Sequence, residues 1–470
     1  MFLSNRCRHG IALMALLGGF LTVSVAFRSA FAAETVVLSL DDCIRMALET
    51  APELREAEQD VMAAQADLSQ AKAGQWAQLE VIGIAGPVND ADQPGVTGRF
   101  DADGRFRGRL KEQDEESIGV FGRLELFLVQ PLYTFGKISN RQDAAARGLE
   151  VQRIEKEKKR GDVILSVKEL YYALIVALQG RAAAEDANAF NEDARVRIRR
   201  LLQVNAGHVD PTDLHRQEAF AAEVKAFQAK AESGAQIASL ALKKKVGLSP
   251  GQELKLDRGE LPAGDRTLAP QEEYIQAALG RRPELKQLDE GIEAQRSLVN
   301  AAKADLYPSL FGAAIGSFAG APGRERLDVS YFPDDFNHAQ VGVVLGAEWR
   351  LDMGIGRARV RKEEANYRKL LHTKEYAEQN IPVEVAKYYQ DVLEHKASYE
   401  AYAEGAAAAR RWIVSSFTNF DMGVGTAKDM FDAIDRYGKN QGEYLLALYS
   451  YHVALARLDH AIAEYQTTNP

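Results

Sequence analysis

Cysteine is scarce in this sequence, and positive charge is outweighed by negative charge. The 470 residues include two cysteines, Cys7 and Cys43, and the formal net charge is −9. Cys7 falls in a segment that we expect to be removed, so the mature chain would retain one cysteine and could form no internal disulfide. Because a net negative charge gives no general affinity for phosphates, we expect no nucleic-acid partner.

Long apolar runs are also scarce. The clearest one extends from Ile11 to Phe27, after Arg6 and Arg8 and before the small-residue site Ala30–Ala32. This order is typical of a secretory signal peptide, so residues 1–32 are predicted to be an export signal rather than a membrane anchor, for which the run is short. No later segment has the apolar length of a transmembrane helix. A chain that spans a membrane would therefore have to do so with strands.

Motifs for catalysis and metal binding are absent too. Gly354-Ile355-Gly356 begins like a phosphate-binding glycine loop, but Arg359 occupies the third glycine position, and no P-loop lysine motif occurs. His452 and His460 lie eight residues apart without an HExxH motif. We therefore predict no enzyme activity, no cofactor and no metal site.

The sequence does contain an internal repeat. The matching segments, at unchanged spacing, are Ile44–Leu48 with Ile275–Leu279, Pro52–Leu54 with Pro283–Leu285, and Ala71–Trp76 with Ala302–Tyr307. Matches of this length without a gap indicate duplication. We predict a first repeat at about residues 39–266 and a second at about 267–466.

Each repeat reads as helix, helix, strand, loop, strand, long helix, helix. The strands, rich in β-branched and aromatic residues, are expected at about 79–86 and 117–133 in the first repeat and 309–318 and 340–352 in the second. A polar loop, residues 87–116, separates the first two strands. Each strand pair is followed by a helical pattern, at about 137–206 and 357–420, far longer than an ordinary globular helix. Pro382 is the one strong breaker in these patterns and is a possible kink.

The last predicted helix has a sustained 3.5-residue repeat, which indicates coiled-coil packing. One heptad position holds Ile434, Leu448, Leu455 and Ile462, and the other holds Tyr437, Tyr444, Tyr451, Leu458 and Tyr465. We interpret the tyrosines as packing residues rather than a ligand cage. Four strands cannot close a sheet in lipid, so either several chains combine or the strands lie outside a membrane.

The duplicated motifs resemble those of the TolC family of outer-membrane efflux channels. They are I-x-x-A-L-x-x-x-P-E-L, A-K-A-x-x-[WY], and a hairpin-tip G-x-x-x-x-x-D. The resemblance implies a mixed fold, with a long α-helical coiled-coil barrel and a membrane β-barrel. Each protomer would give four strands to the twelve-stranded barrel of a homotrimer. It also implies an outer-membrane location with the helices in the periplasm, contact with outer-membrane lipid, and a periplasmic adaptor (membrane fusion protein) that joins the channel to an inner-membrane transporter.

The resemblance also assigns residues to the two helix-hairpin tips. The expected tip and adaptor-contact residues are Gly207, Asp213, Leu214, Gly423, Gly425 and Met430. Asp429 and Asp432 would form rings of six carboxylates at the pore constriction of a trimer, with Asp435 as a further candidate. Such crowding would favour cations and raise the carboxyl pKa values. Local sequence offers a simpler role for two acids, because Asp213 and Asp429 each follow an expected N-cap, Asp210 or Thr426, by three residues.

The tips depart from the family pattern at one place. Some relatives hold the mouth shut with a Tyr and an Arg bonded to an Asp of the first hairpin, but Phe420 and Gly425 occupy those positions here. The closed state would be weaker or held by other residues. The resemblance implies a passive channel of a tripartite efflux or type I secretion system. The alternative is a periplasmic coiled-coil scaffold or adaptor without a pore, which would not need two matched strand pairs.

Overall fold

The structure is a computed structural model that describes residues 35–90, 95–110, 118–264, 266–326, 331 and 333–465. The predicted signal segment lies outside these residues. The helices are α1 Leu40–Thr50, α2 Pro52–Ala73, α3 Lys137–Gln203, α4 Pro211–Val246, α5 Gln271–Arg281, α6 Pro283–Ala304, α7 Ile355–Asp421 and α8 Ala427–Ala461. The strands are β1 Thr35–Leu38, β2 Gln78–Asn89, β3 Val96–Phe100, β4 Phe106–Leu110, β5 Ile118–Tyr133, β6 Glu253–Leu256, β7 Ser309–Gly320 and β8 His338–Glu348.

The predicted order of helices and strands is present in both halves of the chain. The long helices α3 and α7 have 67 residues each, which gives a length of about 100 Å. Pro52 and Pro283 occupy the first turns of α2 and α6, where a missing N–H costs little. Pro382 lies inside α7, which continues through it.

The main sheet is antiparallel, with strand order β2-β5-β7-β8. In the described part of the chain, neither edge strand, β2 nor β8, has a partner on its outer side. Apolar side chains project from one face of β8 into solvent, with Val341, Val343 and Leu345 75–83% exposed in the single chain. An exposed apolar face between two open edges is typical of a surface that contacts lipid or another chain.

The strands differ from the prediction in three places. The last strand does not extend to residue 352, because it ends at Glu348 and the Asp352 carboxylate accepts the Gly354 and Gly356 N–H groups at 2.9–3.1 Å, starting α7. The expected loop 87–116 contains the β3–β4 hairpin. A short parallel pair, β1 with β6, was not predicted.

The heptad positions of α8 form much of the core. Ile434, Leu448, Tyr451 and Leu458 are buried, which confirms that this face packs against neighbouring helices. One cluster lies where α1, α3, α5, α7 and α8 meet. A second cluster, the tip core, lies near the helix turns and includes Ile198, Phe417, Phe420, Met430, Phe431 and Ile434. Within the residues that the structure describes, no helix is both long and apolar enough to cross a membrane.

Candidate functional site

The α3–α4 turn and the α7–α8 turn lie against each other. His208 of the first turn donates its Nε2–H to the Phe420 carbonyl at 3.1 Å, and the two rings meet edge to face with centroids 5.7 Å apart. Gly423 has φ +78°, and a Cβ there would lie 3.3 Å from the His208 ring. Glycine is therefore needed at residue 423 both for the backbone conformation and for the close approach of the first hairpin.

Each tip turn begins its next helix with a capping box. At α4, Asp210 accepts the N–H groups of Thr212 and Asp213, while the Asp213 carboxylate accepts the Asp210 N–H at 3.2 Å. At α8, the Thr426 hydroxyl accepts the Asp429 N–H, and the Asp429 carboxylate accepts both the Thr426 hydroxyl at 2.7 Å and its N–H at 3.1 Å. The predicted caps are confirmed, so Asp213 and Asp429 both stabilise helix starts.

The cap also affects the charge of Asp429. The hydrogen bond from the Thr426 hydroxyl, followed by that from its backbone N–H, holds the pKa of the Asp429 carboxyl below its ordinary value. This local effect opposes the increase expected from crowding several carboxylates in a ring. The capping hydrogen bonds therefore favour the ionised form of Asp429.

The other two acids of α8 have different surroundings. Asp432 is exposed, and no side chain of the described residues hydrogen-bonds to its carboxylate. Asp435 is half-buried and paired with Lys439 at 2.7 Å, one turn further along the helix. Asp429 and Asp432 are therefore exposed carboxylates on one side of α8, whereas the charge of Asp435 is balanced within the chain.

The expected adaptor-contact residues are not equally accessible. Gly207 and Gly423 are exposed, and Gly425, Asp213 and Leu214 are half-buried. Leu214 packs against the tip core. Met430 lies in the first turn of α8, but its side chain is 0% exposed within that core, so it supports the tip from inside, and adaptor contact stays a prediction. The heptad packing of α8 turns it inward.

The two departures from the family pattern are part of the turn itself. Phe420 is completely buried in the tip core. A Cβ on Gly425 would lie 3.0 Å from both the Asn419 Cβ and the Phe420 backbone nitrogen. A long basic side chain at residue 425 would therefore crowd the backbone of the turn.

An ionic contact that the sequence analysis missed joins the two hairpins. We call it the inter-hairpin clamp, and it consists of Arg197, Arg200 and Asp421. Asp421, at the end of α7, pairs with Arg197 of α3 and lies 3.7 Å from the Arg200 guanidinium. The Arg197 guanidinium also lies 5.1 Å from the centroid of the Phe417 ring. The basic run around Arg197 is visible in the sequence, but its partner lies 224 residues away.

A buried polar pair lies between α3 and α4 near the same end. The Gln217 side-chain N–H donates to the Asn191 side-chain oxygen at 3.4 Å, and both residues are almost completely buried. Among the residues that the structure describes, none hydrogen-bonds to the Asn191 Nδ2 or the Gln217 Oε1. This pair therefore weakens an otherwise apolar helix contact.

The two histidines of α8 are used in packing. His452 donates to the Pro262 carbonyl at 3.0 Å, and burial lowers its pKa. His460 bonds to the Asp162 carboxylate at 3.0 Å. Each imidazole thus fixes a different neighbouring segment.

Comparison with known proteins adds to this geometry. Residues 274–464 match the family model described as outer membrane efflux protein. This confirms the resemblance to the outer-membrane efflux proteins. The match falls in the second half of the chain, which contains α7, α8 and the acidic tip. No curated protein sequence matches the chain.

Solved structures of outer-membrane channels and of an outer-membrane protein match along nearly the whole length. The outer-membrane channel OprN is 18% identical, with 90% of each chain covered and a TM-score of 0.70. The CmeC outer-membrane channel of Campylobacter jejuni is 15% identical, covers 92% of this chain and 87% of its own, and has a TM-score of 0.72. The outer-membrane protein VceC of Vibrio cholerae is 18% identical, with 90% and 96% covered and a TM-score of 0.69. At these identities the structures establish the fold.

Proposed function

We propose that this protein is the outer-membrane channel of a tripartite efflux or type I secretion system. It would conduct substrate passively from a periplasmic adaptor and an inner-membrane pump to the exterior. The observation that carries this proposal is the pairing of a four-stranded sheet, open at both edges, with two hairpins built on 67-residue helices. A scaffold would need the helices but would gain nothing from the open apolar sheet.

The open edges support assembly into a homotrimer. In lipid, backbone groups at a sheet edge cannot be left without hydrogen bonds. If β8 of one copy pairs with β2 of the next, three copies form a closed sheet of twelve strands and no edge is left. Outer-membrane lipid would then face the apolar side chains that are exposed in the single chain, such as Val343 and Leu345.

The acidic side of α8 supports a cation-selective mouth. Three copies of Asp429 and Asp432 would place six carboxylates around one opening, where focused negative potential attracts cations. The Thr426 cap favours the ionised form of Asp429 even when other carboxylates are near. The half-buried and exposed residues of the two turns, Gly207 and Gly423 among them, would present the surface to the adaptor.

The inter-hairpin clamp would take the place of the missing Tyr and Arg contacts. It connects the first hairpin to the second within one protomer. The hydrogen bond from His208 to the Phe420 carbonyl adds a second connection at the tip. We propose that these two contacts together hold the tips of one protomer side by side.

The test is single-channel recording of the detergent-purified protein in a planar bilayer with a salt gradient. We expect small, steady, cation-selective currents. Asp429→Ala with Asp432→Ala should reduce cation selectivity more than it raises conductance, since it removes charge without widening the backbone. The matched control is Glu218→Ala with Glu223→Ala on α4, which should change neither quantity.

Two outcomes would contradict the proposal at different levels. Unchanged selectivity in the double aspartate variant would refute the assignment of the ring but not the channel. Release of the protein from cells by osmotic shock without detergent, together with silent bilayers, would favour a periplasmic scaffold or adaptor.

A further inference from the structure

The β3–β4 hairpin has two chemically different faces. Its register places Val96 opposite Leu110 and Phe100 opposite Phe106, with Gly98 opposite Gly108 between these pairs. The alternate positions pair Thr97 with Arg109 and Arg99 with Arg107. Because successive side chains of a strand point to opposite sides, one face is apolar and the other is basic.

The apolar face is exposed and flat. Its four side chains, Val96, Phe100, Phe106 and Leu110, are 50–77% exposed. The Phe100 and Phe106 rings contact each other with centroids 5.4 Å apart. A Cβ on Gly108 would lie 2.5 Å from the side chains of both Val96 and Phe106, so these side chains fold over the glycine. A two-stranded hairpin with such a face has no core of its own to bury it.

On the basic face, two arginine side chains repel each other. Arg99 lies directly opposite Arg107, an arrangement in which like charges destabilise a strand pair. Arg107 also contacts Asp101 at 3.3 Å, but that carboxylate is shared with the turn, where it accepts the N–H groups of Asp103 and Arg105. The hairpin, residues 96–110, has four arginines and two aspartates, whereas the whole connection 87–116 has five basic and eight acidic residues, so the positive charge is confined to the hairpin. A bound anion would relieve the repulsion.

The position of the hairpin follows from the chain order. β2 continues from α2, and β5 leads into α3, so the connection between them lies at the end of the sheet away from the helices. If the protein is the proposed channel, on which this step rests, that end reaches the outer surface of the membrane. We propose that the β3–β4 hairpin binds a lipid surface that carries phosphate groups, with Arg99 and Arg107 on the phosphates and its apolar face toward the acyl chains.

The two faces together favour a lipid over free phosphate. Arginine binds phosphate through two parallel N–H groups, and a guanidinium is less strongly hydrated than an ammonium group. Free phosphate would satisfy the arginines and leave Phe100, Phe106 and Leu110 in water. An amphipathic segment at the boundary between headgroups and acyl chains satisfies both faces at once.

The experiment measures lipid binding by the full-length protein in neutral detergent, using native mass spectrometry. Phosphatidic acid, phosphatidylcholine with the same acyl chains, and inorganic phosphate are titrated separately. Wild type should bind phosphatidic acid more tightly than phosphatidylcholine. Arg99→Ser with Arg107→Ser should weaken phosphatidic acid binding about thirty-fold, or about fivefold for each arginine, and leave phosphatidylcholine binding unchanged.

Two further variants separate the faces, and a third is a control. Arg99→Lys with Arg107→Lys should retain most of the binding, since the charge is kept. Phe100→Ser with Phe106→Ser should weaken the binding of both lipids. The control is Arg199→Ser with Arg411→Ser, two exposed arginines of the long helices, which should leave lipid binding unchanged.

Three results would overturn the proposal. The first is unchanged phosphatidic acid binding by a folded Arg99→Ser, Arg107→Ser protein. The second is binding of inorganic phosphate by wild type as tight as that of the lipid. The third is an Arg99→Ser, Arg107→Ser protein that loses its oligomer but binds lipid normally. The last would mean that the basic face contacts another copy of the chain. Bilayer recording distinguishes the two proposals. A wild-type protein that gives no current would contradict the channel, whatever the lipid result. An Arg99→Ser, Arg107→Ser variant with wild-type conductance and wild-type lipid affinity would contradict only the hairpin proposal.

Discussion

Replacing Asp421 with alanine should make the tips of the hairpins easier to separate. Asp421 is the acceptor of the inter-hairpin clamp, since it pairs with Arg197 and lies close to Arg200. Its removal would leave Arg197 with Asp193 of its own helix as counter-charge and would take away the carboxylate nearest to Arg200. The closed arrangement would lose its ionic contact, while the contact of His208 with Phe420 would be kept.

The expected magnitude follows from the exposure of the clamp. The Arg197 and Asp421 side chains are 28% and 30% exposed, so solvent screens the pair only in part. An exposed ion pair contributes about 0.2–1 kcal/mol, and a second arginine and partial shelter place the loss at about 1–2 kcal/mol per protomer. The ratio of open to closed tips should therefore rise by about fivefold to thirty-fold for each protomer that opens independently.

The assay is the open probability in single-channel recordings, measured as a double-mutant cycle. Wild type, Asp421→Ala, Arg197→Ala and the double variant are compared at low and high salt. The double variant should be little different from either single variant, because each one alone removes the contact. High salt should raise the open probability of wild type toward that of the variants.

Asp193→Ala is the matched control for the clamp. Asp193 bonds to the same guanidinium at 3.1 Å, but it lies on α3 with Arg197 and so does not connect the hairpins. Its removal should leave the open probability unchanged. An Asp421→Ala channel that opens no more often than wild type, or single effects that simply add, would refute the prediction that opening breaks the clamp.

Three other predictions concern the interior and the tip. Gln217→Leu should lower stability in thermal unfolding by about 1–3 kcal/mol, whereas Gln217→Leu with Asn191→Leu should be neutral or stabilising, since no polar group is left buried alone. Gly264→Ala should cost about 1–3 kcal/mol or more, because its Cβ would lie 2.0 Å from a buried tyrosine ring, while Gly234→Ala on α4 meets nothing and should gain about 0.5–1 kcal/mol in the same measurement. The capping bonds that lower the pKa of Asp429 stabilise the tip fully above the ordinary carboxyl pKa of about 3.9 and are lost as pH falls through the lowered value. Removing the Thr426 hydroxyl with Thr426→Ala should therefore shift the acid loss of cation selectivity to higher pH.

The parts of the fold that the sequence could predict depend on nearby residues. Capping boxes need residues three apart, and Asp210 with Asp213 and Thr426 with Asp429 follow that rule. Heptads repeat over short distances, so the packed face of α8 could be read from its own residues. The order of elements follows from the same local signals in both halves.

The parts that it could not predict depend on distant contacts. The spacing of Asp421 and Arg197 in sequence contains no information about their meeting, because it depends on how the two hairpins lie together. Met430 lies near a turn, yet its side chain is buried because neighbouring helices pack against that face of α8. The β3–β4 hairpin was hidden because glycines and charges, which usually indicate a loop, here alternate with apolar residues across two short strands.

The clamp also bears on how the proposed channel would open. The two hairpins of one protomer share the tip core, the contact of His208 with Phe420, and the ionic contact of Arg197 with Asp421. An opening that separates them must break all three, whereas an opening in which both hairpins of a protomer move together leaves all three intact. The Asp421→Ala cycle distinguishes these modes, since only the first is sensitive to the clamp. The cycle could show no change in open probability while the Asp429 and Asp432 variants lose selectivity. That result would indicate that each protomer's tips move as one unit and that opening occurs at contacts between protomers.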